Sequence, residues 1–266
     1  MKLGLWQTAG FPADVAANLA ALESTAGAAA AAGASLLLCP ECWLCGYNIG
    51  AAVADLAEPA DGASAHHIAA IAQRYRIALA YGYAERDPGS SRVFNAVQVI
   101  GADGAVLAHY RKTHLFGPAE RAAYTPGVQF APPFEFGGFR FGLLICYDIE
   151  FPEPARSLVL SGADALLVPT ALSDEYGVVP SVLVPARAVE NQIHVAYCNH
   201  AGIENGMRFL GASCLIGPDG KAIVAAGTDD ALIVGEIRRE AQAETADIFP
   251  YRFDRRPELY GLVSSK

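Results

Sequence analysis

The chain has 266 residues, of which 53% are hydrophobic and 18% are charged, so it carries enough apolar material for a globular core. Its formal net charge of −9 argues against nucleic acid and anionic membranes as partners. The alanine-rich run Ala26–Ala34 is too short to span a bilayer, and no secretory signal is recognisable in the first residues. We therefore expect a cytoplasmic protein whose partner is a neutral or cationic small molecule.

The first part of the chain alternates predicted strands and helices and ends in a hairpin that turns at Ala102-Asp103-Gly104. Residues 41–60 are loop-rich. Residues 111–133, rich in Pro and Gly, are expected to be irregular and functional. The predicted elements are the strand Leu3–Gln7, the helix Asp14–Ala32, the strand Ser35–Cys39, the helix Ser64–Tyr75, and the strands Ile77–Tyr83, Val93–Ile100 and Val106–Tyr110.

The second part repeats this alternation, and its second hairpin turns at Pro218-Asp219-Gly220. The tail from about residue 248 to 266 lacks periodicity and is expected to pack on a neighbouring surface. The predicted elements are the strand Phe141–Ile145, the helix Pro152–Ser161, the strand Ala165–Val168 stopped by Pro169, the helix Pro180–Asn191, and the strands His194–Asn199, Ala212–Ile216, Ala222–Ala225 and Leu232–Ile237.

An internal repeat connects the two parts. Gly33–Pro40 matches Gly162–Pro169, and farther on Ile100–Gly104 matches Ile216–Gly220 in the same order. Two β-α-β-α-β-β halves that each cover a sheet face predict a duplicated four-layer α-β-β-α sandwich, an α/β fold. Because no linker divides the halves, residues 1–266 are predicted to form a single domain.

The stretch Phe141–Glu153 puts a cysteine in a chemically distinctive place. A buried strand is predicted to stop at Cys146, shortly before a helix opened by Pro152. Open α/β sheets bind ligands at such strand ends, and the local amides and helix dipole favour a thiolate and a developing oxyanion. The alternative is a structural core cysteine, because free cysteine is among the most buried residue types.

Two charged residues also follow predicted strand ends. Glu41 comes after Pro40, and Lys112 comes just after a hairpin strand; each alone is most simply explained as a solvated surface residue. Together with Cys146 they supply a base for a thiol nucleophile and a cation for an oxyanion. That chemistry is acyl transfer from an amide-like carbon to a thiol. A non-catalytic binding scaffold is the rival hypothesis, disfavoured because all three reactive positions are filled.

Three motifs resemble the signatures of the nitrilase superfamily of carbon–nitrogen hydrolases, in the family's order and over essentially the whole chain. They are Pro40-Glu41, Tyr110-Arg111-Lys112 and Cys146-Tyr147-Asp148-x-x-Phe151-Pro152-Glu153. The resemblance implies the duplicated α-β-β-α fold, no metal or cofactor, and assembly as a homodimer or a larger homo-oligomer.

The resemblance also implies roles for individual residues. Glu41 is the general base, Lys112 steadies the tetrahedral intermediate, and Cys146 is the nucleophile. The backbone amide of Tyr147 completes an oxyanion hole, and Glu120 positions the substrate amide.

Longer motifs around Tyr47, Lys112 and Cys146 resemble aliphatic amidases that include 5-aminopentanamidase and a stereoselective amino-acid amidase. The predicted reaction is hydrolysis of a short aliphatic amide, with or without an amino substituent, to an acid and ammonia through a cysteine thioester. An N-carbamoyl-amine amidohydrolase and a nitrilase, using the same three residues, remain alternatives. Carbamoylases carry arginines where this chain has Ile149 and Glu150, and Glu150 is expected to tolerate a substrate amine.

The remaining candidates leave alternatives open. Tyr47 and Asn199 are candidate substrate-positioning residues, although Asn199 could instead satisfy only a backbone group. Asp174 and Glu175 could bind a substrate ammonium or form a solvated loop. The spacing of Cys39, Cys42 and Cys45 is compatible with an iron–sulfur or zinc site, which is disfavoured because no fourth cysteine is near. Two sites are interpreted as structural or exposed, namely His114 and the pair His66-His67.

Overall fold

Two six-stranded sheets form the centre of the protein, in a computed structural model that describes residues 1–261. The last residues of the predicted tail, 262–266, lie outside this range. The strands are β1 Lys2–Gln7, β2 Leu36–Leu38, β3 Ala78–Arg86, β4 Val93–Ile100, β5 Val106–Arg111, β6 Phe134–Phe136, β7 Phe139–Leu143, β8 Ala165–Thr170, β9 His194–Asn199, β10 Ile203–Glu204, β11 Met207–Arg208, β12 Cys214–Ile216, β13 Ala222–Ala225 and β14 Ala231–Glu236.

Helices cover the outer face of each sheet. Short turns of 3-10 helix lie at Cys146–Glu150, Asp174–Tyr176 and Pro257–Leu259, and a wider π-helical turn at Val179–Leu183. The α-helices are α1 Val15–Ala31, α2 Ala52–Leu56, α3 Ala63–Tyr75, α4 Gly117–Ala123, α5 Pro152–Leu160, α6 Val184–Asn191 and α7 Arg239–Ile248.

The two sheets have the same topology. The first runs β14-β1-β2-β3-β4-β5 and the second β6-β7-β8-β9-β12-β13. In each, three consecutive strands are parallel, two antiparallel strands follow on one side, and one antiparallel strand closes the other side. The repeat seen in the sequence therefore corresponds to a repeated sheet, as predicted.

Side chains along the repeated strands point alternately to the two faces of each sheet, and this alternation creates the four layers. Leu36 and Leu38 of β2 face the second sheet, and the equivalent Ala165 and Leu167 of β8 face the first, in one shared core. The residue between each pair points the other way, towards the helices α1 and α3 or α5 and α6. A period of two in apolar strands buried on both faces thus explains the α-β-β-α order.

Several boundaries differ from the prediction. The strand before the cysteine ends at Leu143 rather than Ile145, and β8 continues through Pro169 to Thr170. Proline is tolerated there because β7 pairs with β8 only as far as Leu167, whose carbonyl faces β7. The backbone nitrogen of Pro169, two residues farther along, points to the same side of β8. That side is no longer paired with β7 at this position, so no N–H is needed.

Six elements went unpredicted, namely β6, β10, β11, α2, α4 and α7, and one helix begins later than predicted. The strand β6 and the short helix α4 lie in or near a segment expected to be irregular, and α7 occupies residues before the tail. Helix α6 begins at Val184, after the π-helical turn that contains Pro180. In the described part of the tail, the backbone of Phe249 accepts a hydrogen bond from Gln192, while Phe253 is 77% exposed. Within residues 1–261, no helix combines the length and apolar character needed to cross a membrane.

Candidate active site

Cys146 lies at a strained turn just after β7. It is buried, has a φ of +47°, and begins the single 3-10 turn Cys146–Glu150. A left-handed conformation is uncommon for a residue with a side chain and persists only where surrounding contacts impose it. The turn therefore requires an anchor.

Asp148 is that anchor. Its Oδ2 accepts hydrogen bonds from the backbone N–H of Ile145 at 3.0 Å and from the hydroxyl of Tyr110 at 2.9 Å. Its Oδ1 accepts from the backbone N–H of His114 at 3.0 Å and from the Thr113 hydroxyl at 3.1 Å, and the His114 ring nitrogen Nδ1 lies 2.7 Å away. One buried carboxylate thus connects the cysteine turn to the segment that follows β5.

Lys112 is the first residue after β5 and lies between two carboxylates. Its Nζ is 2.7 Å from Oε1 of Glu41 and 2.7 and 2.9 Å from the two oxygens of Glu120. Burial alone lowers the pKa of Lys112, but Glu41, Cys146 and Glu120 together raise it well above its ordinary value. The lysine is therefore a buried, charged ammonium group.

Glu41 follows β2 and is completely buried. Its Oε1 accepts hydrogen bonds from Lys112 and, at 2.7 Å, from the side-chain amide of Asn95 on β4. Its Oε2 is buried and has no hydrogen-bond partner among the described residues. Burial raises the pKa of Glu41, and Lys112 opposes that rise. One oxygen is thus fixed by protein donors while the other is available to accept a proton.

The electrostatics of the site favour a neutral cysteine thiol. Burial raises the pKa of Cys146 well above its usual range and Glu41 raises it further, while Lys112 and a backbone hydrogen bond from Ala171 lower it. The expectation of a thiolate stabilised by a helix dipole is wrong, because the cysteine begins only a short 3-10 turn and faces two carboxylates for one ammonium group. A neutral thiol here would need a neighbouring base to take its proton if it were to act as a nucleophile.

Glu120 is held in place by three donors. Besides Lys112, the hydroxyl of Tyr47 donates to Oε1 at 2.7 Å and the backbone N–H of Phe116 donates to Oε2 at 2.9 Å. Glu120 lies on α4, and its buried carboxylate is thereby oriented towards the Lys112–Glu41 pair.

Aromatic side chains adjoin two of these groups, because Phe116 binds Glu120 through its backbone N–H and Tyr147 directly follows Cys146. Phe116 contacts Tyr147 edge-on at 5.2 Å between ring centroids and Tyr176 at 5.8 Å. Tyr147 also contacts Phe151 at 4.9 Å. The arrangement combines one nucleophile, one available carboxylate oxygen and one cation with an apolar wall, which suits attack on the carbonyl carbon of an uncharged substrate.

Comparison with known proteins now identifies the family. The carbon–nitrogen hydrolase profile matches residues 2–247. The chain belongs to the carbon–nitrogen hydrolase family. The predicted enzyme class is therefore confirmed.

Three similar proteins illustrate where this carbon–nitrogen hydrolase lies in its family. A hydrolase from Pseudomonas protegens is 47% identical over 100% of this chain and 93% of its own length. An (R)-stereoselective amidase from Pseudomonas sp. is 36% identical over 98% of this chain and 93% of its own length. The crystal structure of an amidase from Nesterenkonia sp. is 36% identical, with a TM-score of 0.88 over 98% of this chain and 95% of that chain. The fold prediction is confirmed by this likeness.

Two mutant structures of the Nesterenkonia amidase contain acrylamide. One was solved in complex with acrylamide, and another shows acrylamide added at its active-site cysteine. Both observations were made on that relative.

The structure corrects the candidate role of Asn199 in this hydrolase. Its Oδ1 accepts from the backbone N–H groups of Leu172 and His200, and its Nδ2 donates to the carbonyls of Leu172 and Gly211. All donors of the buried amide are used, so Asn199 satisfies backbone groups rather than a substrate. Of the two roles considered for Asn199, satisfying a backbone group is therefore correct and positioning a substrate is not.

Glu150, Asp174 and Glu175 differ in their relation to the site. Burial raises the pKa of Glu150 and Lys112 lowers it, so its carboxyl lies within electrostatic reach of that ammonium group. Asp174 pairs with Arg208 at 3.8 Å, with both side chains largely exposed, and Glu175 is exposed as well. The solvated-loop interpretation fits Asp174 and Glu175 better than ammonium binding.

The cysteines Cys39, Cys42 and Cys45 form no metal site. All three are buried free thiols, but Cys39 belongs to the core beneath α1 and α3, while Cys42 and Cys45 pack in a separate cluster. Within residues 1–261, no three His, Cys, Asp or Glu side chains converge as metal ligands. His114, interpreted as structural or exposed, is structural through its contact with Asp148.

Three positioning residues were not anticipated. Asp148 was part of a recognised motif without an assigned role, and Asn95 and His200 were not singled out. His200 is buried, and its Nε2 lies 2.7 Å from the Glu41 carbonyl. A polar residue inside or directly after a predicted apolar strand is the signal that could have found Asn95 and His200, because buried polar groups need specific partners.

Proposed function

We propose that this hydrolase is an amidase that converts a short aliphatic amide into the carboxylic acid and ammonia through a thioester on Cys146. The observation that carries the proposal is the buried Lys112 ammonium held between Glu41 and Glu120, in electrostatic contact with a buried thiol. So many desolvated charges are costly to maintain unless they serve chemistry.

The first half of the proposed reaction forms the thioester. As the Cys146 sulfur attacks the amide carbon, its proton passes to the available oxygen of Glu41. The carbonyl oxygen becomes an oxyanion that Lys112 and the backbone N–H of Tyr147 stabilise. When the intermediate collapses, Glu41 returns the proton to the leaving nitrogen, and ammonia departs.

The second half regenerates the enzyme. Glu41 takes a proton from a water molecule as the water oxygen attacks the thioester carbon. Collapse of this second intermediate breaks the carbon–sulfur bond, releases the carboxylic acid and returns a proton to Cys146. Glu120 orients the substrate amide and, through Lys112, maintains the charge balance of the site.

The substrate chain is proposed to be short and amino-substituted, as in 5-aminopentanamide or an amino-acid amide. Phe116, Tyr147 and Tyr176 provide an apolar wall for the methylene groups. Glu150 supplies negative rather than positive charge at the turn, which favours an ammonium group over a carboxylate on the substrate.

Ammonia release tests the reaction and the substrate class. We would compare 5-aminopentanamide, propionamide, glutaramate and N-carbamoylputrescine with the wild type, Cys146→Ala and the control Cys214→Ala, a buried thiol of β12. Turnover that prefers 5-aminopentanamide and disappears only in Cys146→Ala is expected. Carbon dioxide release from the carbamoyl compound would favour the carbamoylase alternative instead, and faster conversion of pentanenitrile than of pentanamide would favour a nitrilase.

We also infer that residues 1–266 form one domain of a cytoplasmic enzyme that self-associates. Six buried free cysteines suit a reducing compartment. The tail leaves Ile248, Phe253 and Leu259 largely exposed, as expected of surface that packs against another chain. Sedimentation of the full chain should give at least a dimer, and a monomer would contradict self-association.

A further inference from the structure

A small hairpin is hydrogen-bonded to the loop that carries Tyr47. The hairpin pairs β10 with β11, and its Glu204 side chain is buried although Ile203 beside it is 53% exposed. Oε1 of Glu204 accepts a 2.6 Å hydrogen bond from the backbone N–H of Asn48. Burial raises the pKa of Glu204, while backbone hydrogen bonds from Asn48 and Tyr47 lower it. This carboxylate therefore lies against the consecutive backbone N–H groups of Tyr47 and Asn48.

Reciprocal amide contacts strengthen the same connection. The Asn48 side chain donates to the carbonyls of Glu204 at 3.2 Å and Asn205 at 3.3 Å, and the Asn205 side chain donates to the Asn48 carbonyl at 2.9 Å. Gly46, at φ +97°, precedes this clamp, and a Cβ there would lie 3.0 Å from Oε1 of Glu204. The approach of the carboxylate thus depends on a glycine at the loop entrance.

The clamped loop leads directly to the proposed catalytic groups. The Tyr47 hydroxyl donates to Glu120 at 2.7 Å, and the same Glu120 oxygen lies 2.7 Å from Nζ of Lys112. The Tyr47 ring also contacts Phe209, just after β11, edge-on at 6.3 Å. The hairpin therefore fixes Tyr47 at both its backbone and its ring.

We propose that Glu204 is a positioning residue for the reaction, acting through the Tyr47 loop to set the orientation of Glu120 and Lys112. This inference rests on the proposed amidase function for its turnover readout. Glu204 itself touches no reacting atom; its effect on the rate comes from holding the hydroxyl of Tyr47 where Glu120 needs it. Displacements of about 1 Å at such a site reduce rates by about 100-fold.

Glu204→Gln tests the charge while keeping one acceptor oxygen and the side-chain shape, and Tyr47→Phe removes the hydroxyl. We expect Glu204→Gln to lower kcat by at least about tenfold with little change in KM, because Lys112 acts on the transition state. The double variant should be no slower than the slower single variant, since both changes interrupt the same series of contacts from Glu204 through Tyr47 to Glu120. Glu58→Gln is the control, because Glu58 also accepts a backbone N–H, but that of Ser64 at the start of α3 rather than one in the Tyr47 loop.

A second readout separates this inference from the proposed function. Mass spectrometry measures the rate at which acrylamide or iodoacetamide alkylates Cys146, and this rate does not depend on turnover. Glu204→Gln and Tyr47→Phe should change the alkylation rate non-additively as well. If the wild type hydrolyses no amide but the alkylation effects couple, the proposed function fails and the positioning role stands. If melting temperature falls while kcat and alkylation match the wild type, or if the two effects are additive, Glu204 is only structural and the inference is overturned.

Discussion

The Nζ atom of Lys112 lies 2.7 Å from Oε1 of Glu41, and both side chains are completely shielded from solvent. The two residues come from the ends of β5 and β2, which run in the same direction in the first sheet. Because buried ions are tolerated only when paired, each of these residues requires the other.

Replacing the lysine separates its electrostatic role from its structural role. Lys112→Met should lower kcat by about 100- to 1000-fold, because an oxyanion loses its cationic partner. Without the ammonium group, the pKa of Glu41 rises further, so the acid limb of any residual rate should move to higher pH. A pH–rate profile measures both effects. Lys221→Met, at an 85% exposed lysine, should leave the profile unchanged, and an unshifted acid limb in Lys112→Met would argue against Glu41 as the base.

A glycine beneath the Glu41 loop gives a prediction based on packing alone. A Cβ added to Gly82 would lie 2.5 Å from the backbone nitrogen of Cys42, 2.6 Å from the carbonyl oxygen of Pro40 and 2.8 Å from Cα of Glu41. Gly82→Ala should therefore displace the base, lowering kcat by about tenfold or more and stability by about 1–3 kcal/mol. In the control Gly89→Ala, the nearest atom is a side-chain oxygen 4.0 Å away, and neither quantity should change. Equal activities of the two variants would show that the loop absorbs the methyl group.

Local pattern was enough to predict the repeated strands, and the combination of three motifs along the chain singled out the three proposed catalytic residues. Leu36, Leu37 and Leu38 precede Pro40-Glu41, so the strand, its stop and the acid could all be recognised within a few residues. Asn95 and His200 could not be assigned in this way. Their partners lie 54 and 159 positions away along the chain, and only the folded sheets bring them to Glu41.

The thiolate prediction failed for a related reason. A helix start near Cys146 was recognisable, but the charge around the thiol depends on Glu41 and Glu120, which come from other elements. Whether a buried group is charged is decided by its burial and by the summed effect of the charged groups around it. A local sequence window does not contain those groups.

Two buried histidines predict how stability depends on pH. Burial lowers the pKa of both His194 and His200 to about 4, against an ordinary value of about 6.5. Between these values the unfolded chain binds more protons, so each histidine's contribution to the free energy of unfolding is complete above about pH 6.5 and decreases as the pH falls to about 4. The loss is about 1.4 kcal/mol per pH unit for each histidine.

Denaturant titrations at several pH values measure this dependence. His194→Gln should unfold with a smaller loss of stability between pH 6.5 and 4 than the wild type. His66→Gln is the matched control, because His66 is exposed on α3 in the folded protein. Parallel stability curves for His194→Gln and the wild type would contradict a neutral buried His194.

The anchor of the cysteine turn gives the last prediction. Asp148 accepts hydrogen bonds at both carboxylate oxygens, so in Asp148→Asn the new NH₂ group must face donors whichever way it turns. The left-handed Cys146 should then relax, and kcat and the rate of Cys146 alkylation should both fall by at least about tenfold. Asp164→Asn is the control, since Asp164 also accepts a backbone N–H, from Arg140, but at the opposite ends of β7 and β8. If Asp148→Asn lowered only the melting temperature, with kcat and alkylation unchanged, the turn would hold Cys146 without this carboxylate.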